Sequence, residues 1–503
     1  EISCDTLISI SKRGVKNMYD VAIIGGGVIG SSIARELSKY KLKICVLEKE
    51  LDVCCETSGR NSGVLHAGFN NKPKSLMAKF CIEGNENFDE IAKELDIPFK
   101  RTGKLVVGFT KEDKEKLIEM KEQGEINGVK GLEIIDKDRI KQLSPYVEGN
   151  FALYSPNTGI LNPFIYTIAM AENAVENGVK YFLDNEVVDI KKSSDKDNNI
   201  FEIRTNKNIY KSKWIINCAG LNSDKIGKMV GIDEYTIHPC RGEYFILDQK
   251  VGRYLNMPAY PVPNPKMGGL GIHLTPSIDG NVFIGPSSEY IDSKDDYSTT
   301  KEVMDLLIKD GGRIFPHIRK EHFIRNFSGI RPKLVAKEQG GYDDFKIELR
   351  EDISNFINLT GIESPGLTSA VPIAKYVVSL LSEKENLVEN PHFNKYRKSI
   401  ETFKDKPIDV QEKLIAKDEN YGEIICRCET ITKAEILQAI NNPLGVETVT
   451  GIKYRTRAMM GRCQGGYCQT RITKLIKEVK HKKEEEILYC RKNSNMFVGK
   501  VRV

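Results

Sequence analysis

Two tight cysteine pairs near the C-terminus are the residues in this chain best suited by type and spacing to bind a metal. Cys426 and Cys428 form a C-x-C pair in "EIICRCE", and Cys463 and Cys468 form a C-x4-C pair in "GRCQGGYC". Four thiolates in two close pairs can bind a structural zinc ion or an iron–sulfur cluster. Zinc sites more often use C-x2-C knuckles on β-turns, whereas we expect both pairs here in loops beside helix N-termini. Zinc, a [2Fe-2S] cluster and free thiols remain the alternatives.

A glycine-rich segment near the N-terminus forms a second candidate site. The apolar run "YDVAII" precedes Gly25-x-Gly27-x-x-Gly30, a helical pattern follows, and a second apolar run ends at Glu48. Gly25 permits the tight turn, Gly27 lets the backbone approach a pyrophosphate, and Gly30 lets helix and strand pack closely. The helix N-terminus faces the phosphates, and Glu48 can accept from ribose hydroxyls. The pattern predicts dinucleotide binding without deciding between FAD and NAD.

Several predicted elements must position these residues. Helical periodicity occupies much of 83–97 and 111–127, and strand-like alternation fills 238–288. Residues 384–420 are polar and charged, which favours a linker with some helix that wraps back on the body. Three short helices are predicted around the cysteine pairs, the first opened by a capping-box pair, Thr432 and Glu435.

Composition excludes some classes of protein. A chain of 503 residues predicts roughly two to four domains. Its 75 basic and 70 acidic residues give a net charge of +5 that is spread along the chain, so we do not expect nucleic-acid binding. The chain contains no run of about 18 apolar residues, so we do not expect a transmembrane helix. Residues 1–17 lack the apolar core of a secretory signal, so we interpret them as an N-terminal extension and expect a cytoplasmic protein with reduced cysteines.

Seven further segments follow one another along the chain: "ETSGRNSGVLHAGF" (56–69), "NEVVDI" (185–190), "WIINCAGLNSD" (214–224), "HPCRGEYFIL" (238–247), "YPVPNPKMGGLGIHLTPSIDGNVFIGP" (260–286), "FSGIRPK" (327–333) and "NLTGIESPGLTSA" (358–370). In type and in order they resemble segments of the FAD-dependent oxidoreductases of the D-amino-acid-oxidase and glycerol-3-phosphate-dehydrogenase type. The fifth segment is especially close to L-2-hydroxyglutarate dehydrogenases and anaerobic glycerol-3-phosphate-dehydrogenase-like proteins.

The resemblance implies an α/β fold class, with a Rossmann-type FAD-binding domain interleaved with an α+β substrate domain on a mostly antiparallel sheet. The expected division is an extension (1–17), an FAD-binding domain (18–85, 145–236 and 327–383), a substrate domain (86–144 and 237–326), a linker (384–420) and a small helical Cys4 domain (421–503). It also implies FAD contacts from Gly25, Gly27, Val28, Ile29, Gly30, Glu48, Lys49, Thr57, Ser58, Asn61, Ser62, Gly63, Val187, Ala219, Gly220, Gly329, Arg331, Gly361, Ser364, Gly366, Leu367 and Thr368.

Oxidation of an alcohol beside a flavin requires an acceptor for the hydroxyl proton, which favours histidine, and an anionic substrate requires a fixed cation. Of seven histidines, only His66 and His273 fall in segments that match the family's active site. Arg331 lies in an apolar strand, where a charged side chain needs a partner. These three are the candidate catalytic residues; structural histidines and a salt-bridged arginine are the alternatives. Candidate substrate contacts are Arg241, Tyr244 and Lys333.

The C-terminal cysteines resemble those of the bacterioferritin-associated-ferredoxin-type [2Fe-2S] domain, which is also appended to anaerobic glycerol-3-phosphate dehydrogenases. The resemblance implies a cluster on Cys426, Cys428, Cys463 and Cys468. A flavin takes two electrons as a hydride and can release them singly, and a [2Fe-2S] cluster accepts one at a time. We therefore expect a dehydrogenase rather than an oxidase, with an electron-accepting partner subunit or carrier, through which the protein could associate peripherally with a membrane.

The leading hypothesis is the oxidation of sn-glycerol 3-phosphate to dihydroxyacetone phosphate. Asn70 and Asn71 stand where the hydroxyglutarate enzymes commonly carry paired tyrosines, yet the arginine that follows the loop histidine in the enterobacterial glycerol-3-phosphate enzyme is absent. Phosphate and carboxylate substrates therefore both stay open. The alternatives are a dehydrogenase of L-2-hydroxyglutarate or another 2-hydroxy acid, one of an amino or imino acid, a non-catalytic electron-transfer subunit, and a zinc-stabilised regulatory module.

Overall fold

A computed structural model describes residues 18–192, 200–263 and 271–499 of the chain. The predicted N-terminal extension, residues 1–17, lies outside these ranges. Within them, no helix combines the length and the apolar character needed to cross a membrane.

The helices and strands of the described residues are as follows. The helices are α1 (Val28–Leu37), α2 (Leu76–Glu86), α3 (Phe88–Leu95), α4 (Lys111–Ile126), α5 (Lys137–Leu143), α6 (Pro163–Glu176), α7 (Ser223–Lys228), α8 (Lys301–Ile314), α9 (Gly366–Ser382), α10 (Ile408–Lys417), α11 (Lys433–Ile440), α12 (Val449–Thr456) and α13 (Gln469–Lys480). The strands are β1 (Met18–Ile24), β2 (Ile44–Leu47), β3 (Val64–Leu65), β4 (Phe99–Arg101), β5 (Lys104–Gly108), β6 (Glu133–Asp136), β7 (Phe151–Ser155), β8 (Gly159–Leu161), β9 (Lys180–Phe182), β10 (Val187–Lys192), β11 (Phe201–Thr205), β12 (Ile209–Asn217), β13 (His238–Leu247), β14 (Ala259–Pro261), β15 (His273–Pro276), β16 (Val282–Gly285), β17 (Glu289–Tyr290), β18 (Phe323–Lys333), β19 (Lys346–Leu349), β20 (Phe356–Thr360), β21 (Ile424–Cys426) and β22 (Ile431–Thr432).

The first sheet contains the predicted strand–glycine turn–helix–strand unit. β1 pairs in parallel with β2 and β12, β2 pairs with β9, and β20 lies parallel beside the end of β12. β10, β11 and β19 complete it in antiparallel pairs. The central strands are almost continuously apolar because they are covered on both faces, and α1 and α9 pack against one of those faces through Ile33, Leu37, Ile373 and Val377.

The second sheet is mostly antiparallel, in the order β17-β13-β16-β15-β14-β5-β7-β6, with β18 also paired to β13. Two of its strands correct the predicted domain boundaries. β7 pairs with β5 and β6, although the boundary at residue 145 assigned it to the nucleotide-binding segments. β18 pairs with β13 from His238 opposite Lys333 to Leu247 opposite Phe323, across the boundary at residue 327. These pairings join strands distant in sequence, so local patterns do not reveal them.

The segment 384–420 wraps back on the body, as predicted, and contains one α-helix, α10. Tyr40 and Glu389 form an isolated antiparallel bridge, and the Lys41 amide donates to the Val388 carbonyl at 2.8 Å. Further along, the Arg397 Nε lies 2.7 Å from a carboxylate oxygen of Glu172 on α6.

The C-terminal module consists of the hairpin β21–β22 and the three predicted helices, α11 to α13. It has its own apolar core, which includes Ile436, Ile440, Val449, Ile452, Ile472 and Ile476. The predicted capping box is present at α11: the Glu435 amide donates to the Thr432 hydroxyl, and the Thr432 amide donates to the Glu435 carboxylate. The module packs on the body at both layers: Tyr454 stacks on Phe164 of α6 at 4.1 Å, and Arg457 forms an ion pair with Asp279, between β15 and β16, at 2.6 Å.

Candidate functional site

The turn between β1 and α1 packs so closely against neighbouring backbone that two of its positions admit no side chain. Gly25 has φ +108, and a Cβ there would lie 2.5 Å from the Cys218 carbonyl oxygen. A Cβ on Gly30 would lie 2.0 Å from the Gly25 carbonyl oxygen, so this glycine serves the close helix–strand packing. At the end of β2, the Glu48 carboxylate accepts from the Gly26 amide at 2.6 Å, and burial raises the pKa of Glu48 to about 7. The turn is therefore shaped for a phosphate-bearing ligand.

The loop that follows residue 56 is fixed to both neighbouring layers. The Ser58 hydroxyl accepts from the Val28 amide at the start of α1, at 2.9 Å. The Thr57 hydroxyl donates to the Ile330 carbonyl on β18 at 2.8 Å. A Cβ on Gly329 would lie 2.0 Å from the Arg60 carbonyl oxygen, so loop and strand approach each other as closely as backbone allows. The loop thereby connects the glycine turn to the strand that carries Arg331.

One cavity of about 970 Å³ runs from the glycine turn to β18. Its volume lies at the upper end of the usual range for ligand pockets. Of the predicted cofactor residues, those that line it are Gly25, Gly27, Val28, Ile29, Glu48, Lys49, Thr57, Ser58, Asn61, Ser62, Gly63, Val187, Ala219, Gly220, Gly329, Arg331, Gly361, Ser364, Gly366 and Leu367. Gly30 and Thr368 lie behind the lining, and the Thr368 hydroxyl accepts from the His66 amide at 3.0 Å. An elongated cavity with a phosphate turn at one end fits a dinucleotide.

Five predicted catalytic or substrate residues line the other end of the cavity: His66, Tyr244, His273, Arg331 and Lys333. The sixth, Arg241, does not. Its guanidinium forms ion pairs with Asp296 at 2.7 Å and Glu289 at 2.8 Å. Successive side chains of a strand point to opposite faces, so Arg241 faces away while Gly242 and Tyr244 border the cavity. Arg241 is therefore corrected from a substrate contact to an ion-paired residue outside the cavity.

His273 is held as a neutral base. Its Nδ1 lies 2.9 Å from the Gly271 carbonyl oxygen, which can only accept, so Nδ1 carries the proton and Nε2 keeps a free lone pair. The ring stacks on Tyr260 at 3.6 Å, and burial lowers the pKa of His273 well below its ordinary value. Burial, with the Lys104 charge as a second cause, also lowers the pKa of His66 to about 3. Both histidines are thus neutral near pH 7.

The two cations at this end differ in how they are neutralised. The Arg331 guanidinium donates to the Ser287 carbonyl at 2.9 Å and contacts the Cys240 sulfur at 3.3 Å, and it forms no ion pair with a carboxylate among the described residues. Lys333 forms an ion pair with Glu363 at 3.2 Å. Arg331 is therefore the cation whose charge is left for a ligand.

Lys104 is a buried cation behind the cavity lining that the sequence patterns did not predict. It opens β5, is 1% exposed, and its Nζ has no hydrogen-bond partner in the described part of the chain. The ammonium group lies 3.8 Å from the centroid of the Tyr260 ring, which stacks on His273. Burial lowers the pKa of Lys104 to about 7. The sequence shows only a lysine at the start of the apolar run "KLVVG". A lysine in that position is equally typical of an exposed strand end, so the pattern does not indicate burial.

The four C-terminal cysteines come together in two pairs, each with one member from either motif. A thiol hydrogen bond with Cys468 lowers the pKa of Cys426 to about 6, and Cys428 contacts Cys463. Cys468 precedes α13 as predicted, whereas Cys426 ends a strand, β21, rather than lying beside a helix N-terminus.

No three His, Cys, Asp or Glu side chains of the described residues converge on one point for a single ion. Two thiol pairs fit the two irons of a [2Fe-2S] cluster better than one tetrahedral zinc ion.

Comparison with known proteins gives two family matches, one on each side of the segment 384–420. The model of the FAD dependent oxidoreductase family matches residues 20–380, and that of the BFD-like [2Fe-2S] binding domain matches residues 424–478. The chain is 43% identical over 462 residues to a glycerol 3-phosphate dehydrogenase of Caloramator mitchellensis, covering 91% of this chain and 94% of the relative. It is 31% identical to a mitochondrial L-2-hydroxyglutarate dehydrogenase of Nematostella vectensis, covering 75% and 95%. The structure of an L-alpha-glycerophosphate oxidase from Mycoplasma pneumoniae with FAD bound is similar with a TM-score of 0.70 and 30% identity, covering 76% and 98%.

Proposed function

The chain belongs to the FAD-dependent oxidoreductase family and carries a [2Fe-2S]-binding domain after it, and from this premise we propose that it is a dehydrogenase that oxidises sn-glycerol 3-phosphate to dihydroxyacetone phosphate. The membership confirms the family resemblance and the two cofactors, FAD and a [2Fe-2S] cluster. The observation that carries the substrate proposal is Arg331, a cavity-lining cation that no carboxylate of the described residues neutralises. A guanidinium fork binds a phosphate through two parallel hydrogen bonds. The 43% identical relative supports phosphate as its partner.

When bound, FAD supplies the acceptor for the substrate's hydride and the cluster supplies a one-electron outlet. The chain's own part is to hold the substrate and to remove a proton. His273 Nε2 accepts the proton of the substrate hydroxyl, since Nδ1 is already committed to the Gly271 carbonyl. His66 faces the same space with its Nε2 3.5 Å from the Ser364 hydroxyl, and orients the hydroxyl that reacts.

The fraction of this chain that its relatives cover supports a dehydrogenase, which passes electrons to another acceptor, rather than an oxidase, which passes them to oxygen. The glycerophosphate oxidase structure covers 76% of this chain, whereas the dehydrogenase relative covers 91%. Residues 424–478, which match the [2Fe-2S] domain, give electrons a route to an acceptor other than oxygen. We propose that this acceptor is a partner subunit or carrier, and that the protein works in the reducing cytoplasm, where the seven described cysteines outside the two cluster pairs stay free thiols.

A 2-hydroxy acid such as L-2-hydroxyglutarate is the second candidate. A carboxylate fits the fork of Arg331 as well as a phosphate does, and the 31% identical hydroxyglutarate dehydrogenase favours it.

Anaerobic stopped-flow reduction of the flavin separates these candidates. The enzyme is mixed with sn-glycerol 3-phosphate, its enantiomer, L-2-hydroxyglutarate, L-lactate and L-proline, and flavin absorbance is followed. We expect sn-glycerol 3-phosphate to bleach the flavin fastest. Faster bleaching by L-2-hydroxyglutarate would transfer the assignment to the second candidate. A flavin that dithionite reduces but that none of these compounds reduces would indicate a non-catalytic electron-transfer subunit.

A further inference from the structure

The two thiol pairs of the C-terminal module differ in exposure. Cys426 and Cys468 are each 1% exposed, whereas Cys428 and Cys463 are exposed. The pair that faces solvent is therefore the side of the cluster site closest to any protein that approaches from outside.

Basic and aromatic side chains surround this exposed pair. Arg427 lies between Cys426 and Cys428 in sequence, and its guanidinium lies 4.3 Å from the centroid of the Tyr467 ring, which is 39% exposed. Arg462 precedes Cys463 and has a side chain that is 59% exposed. From the body, the exposed Arg325 of β18 donates to the Gln464 side chain at 3.3 Å. We call this surface the exit face; it consists of Arg325, Arg427, Cys428, Arg462, Cys463 and Tyr467.

Nearby carboxylates do not cancel the positive charge that the exit face presents. Asp248, the partner of Arg462 at 2.9 Å, is buried, so the guanidinium is the member of that pair that solvent meets. Glu429 is also buried and is bound by Arg457 at 2.7 Å. The exposed acid at the edge, Glu423, is shared by two cations, Lys433 and Arg471.

We propose that the exit face docks an acidic one-electron carrier protein, which receives the electrons that leave the cluster. Arginine and tyrosine are the side chains enriched at the energetic centres of protein interfaces, and a ring of like charge steers a partner of opposite charge into contact. Another part of the module is already covered, because Arg455 contacts Asp52 and Tyr454 contacts Phe164 of the body.

The electron balance requires two carriers in each turnover. The substrate alcohol loses two electrons and two protons to become a ketone, two oxidised carriers each gain one electron, and both protons pass to solvent. This electron transfer from substrate to carrier rests on the proposed function, whereas the docking of a carrier on the exit face does not depend on the substrate.

The test uses the holoenzyme and an acidic flavodoxin as the probe, with basic cytochrome c as its charge-reversed counterpart. Binding is measured by biolayer interferometry at low and high salt, for the native protein, for Arg427→Gln/Arg462→Gln, and for Lys413→Gln, an exposed lysine on α10 as matched control. We expect the double variant to bind flavodoxin roughly tenfold more weakly, the control to bind as the native protein does, and salt to weaken native binding. Equal binding of the double variant, or tighter binding of cytochrome c than of flavodoxin, would overturn the proposal.

Two further measurements keep the outcome interpretable. Arg325→Gln changes the exit face from the body, away from the cysteine loops, so it tests the same surface if the double variant loses its cluster absorbance. Flavin bleaching by sn-glycerol 3-phosphate is recorded for every variant. Its failure in the native protein would overturn the proposed function and leave the binding result to decide the docking, whereas normal bleaching with unchanged flavodoxin binding in Arg325→Gln and the double variant would overturn the docking alone.

Discussion

Arg455 on α12 forms a two-pronged ion pair with Asp52, with Nη1 2.6 Å from Oδ2 and Nη2 3.0 Å from Oδ1. The two side chains are only 1% and 3% exposed. Asp52 lies four residues after Glu48, in the segment that leaves β2. The ion pair therefore anchors the C-terminal module to the same loop that shapes the nucleotide end of the cavity.

Breaking this pair from one side should release the module. In Arg455→Met the Asp52 carboxylate stays buried without its cation, which costs about 3–5 kcal/mol in such pairs. We expect a lower urea midpoint for the module and faster proteolysis within 384–420, while flavin bleaching by substrate persists. The double variant Arg455→Met/Asp52→Leu removes both charges and should recover part of the loss. A double variant less stable than Arg455→Met would contradict this account.

The pH dependence of substrate oxidation should lack a histidine titration near neutrality. Burial lowers the pKa of His66 to about 3 and that of His273 well below its ordinary value. A base with a lowered pKa stays deprotonated as pH falls until that low pKa is reached, so His273 remains able to accept a proton at pH values where an ordinary histidine is already protonated. Stopped-flow bleaching rates should therefore show no inflection near pH 6.5. His273→Gln should lower the bleaching rate by about 100-fold or more at every pH, and a loss below tenfold would remove His273 from the role of base.

Lys104→Met should stabilise the protein near neutral and acid pH. Burial lowers the folded-state pKa of Lys104 to about 7, below the unfolded value of about 10.4, so the unfolded chain binds more protons between these values. The lysine therefore costs stability as pH falls from about 10 to 7, and the full cost, a few kcal/mol, is present below about 7. The methionine variant should exceed the native protein in thermal midpoint at pH 6 and lose that advantage towards pH 10. Lys100→Met on β4, exposed at its surface, is the matched control.

Much of the nucleotide end was predictable because its determinants are local. Gly25, Gly30 and Glu48 act within one strand–turn–helix–strand unit, and the structure places them as their spacing predicts. The substrate end depends on pairings between distant strands. Arg241 was misplaced because the face of β13 that borders the cavity is set by β18, and Lys104 was missed because its burial depends on the pairing of β14 with β5.

In the C-terminal module, too, the features determined by local sequence were predictable and those determined by tertiary packing were not. Its three helices and capping box follow from periodicity and end signals close in sequence. The pairing of Cys426 with Cys468 joins the two motifs across the module and is fixed only by its tertiary packing.

Arg331→Lys should weaken substrate binding more than Lys333→Met does. The lysine keeps a positive charge but loses the planar fork, and a hydrogen bond to a charged group contributes about 1.5–3 kcal/mol. We expect the substrate concentration for half-maximal bleaching to rise roughly 10- to 100-fold. Lys333 is already neutralised by Glu363, so its loss should matter less. Titration of the bleaching rate against sn-glycerol 3-phosphate measures both, and a larger effect at Lys333 would make that residue the principal anion contact.

Replacement of a single cysteine of the exposed pair should abolish the cluster and leave the flavin bound. Cys428→Ser and Cys463→Ser each remove one thiolate from the exposed pair, and we expect both variants to lose the red-brown absorbance and the reduced-state paramagnetic signal of a [2Fe-2S] centre. Cys490→Ser is the matched control, because Cys490 is a free thiol of the same module outside the two pairs. It should retain iron and sulfide at the native ratio. All three should keep FAD and its bleaching by substrate, because the cavity is lined by residues outside the module. A colourless native protein with one zinc ion per chain would replace the cluster by a structural zinc site.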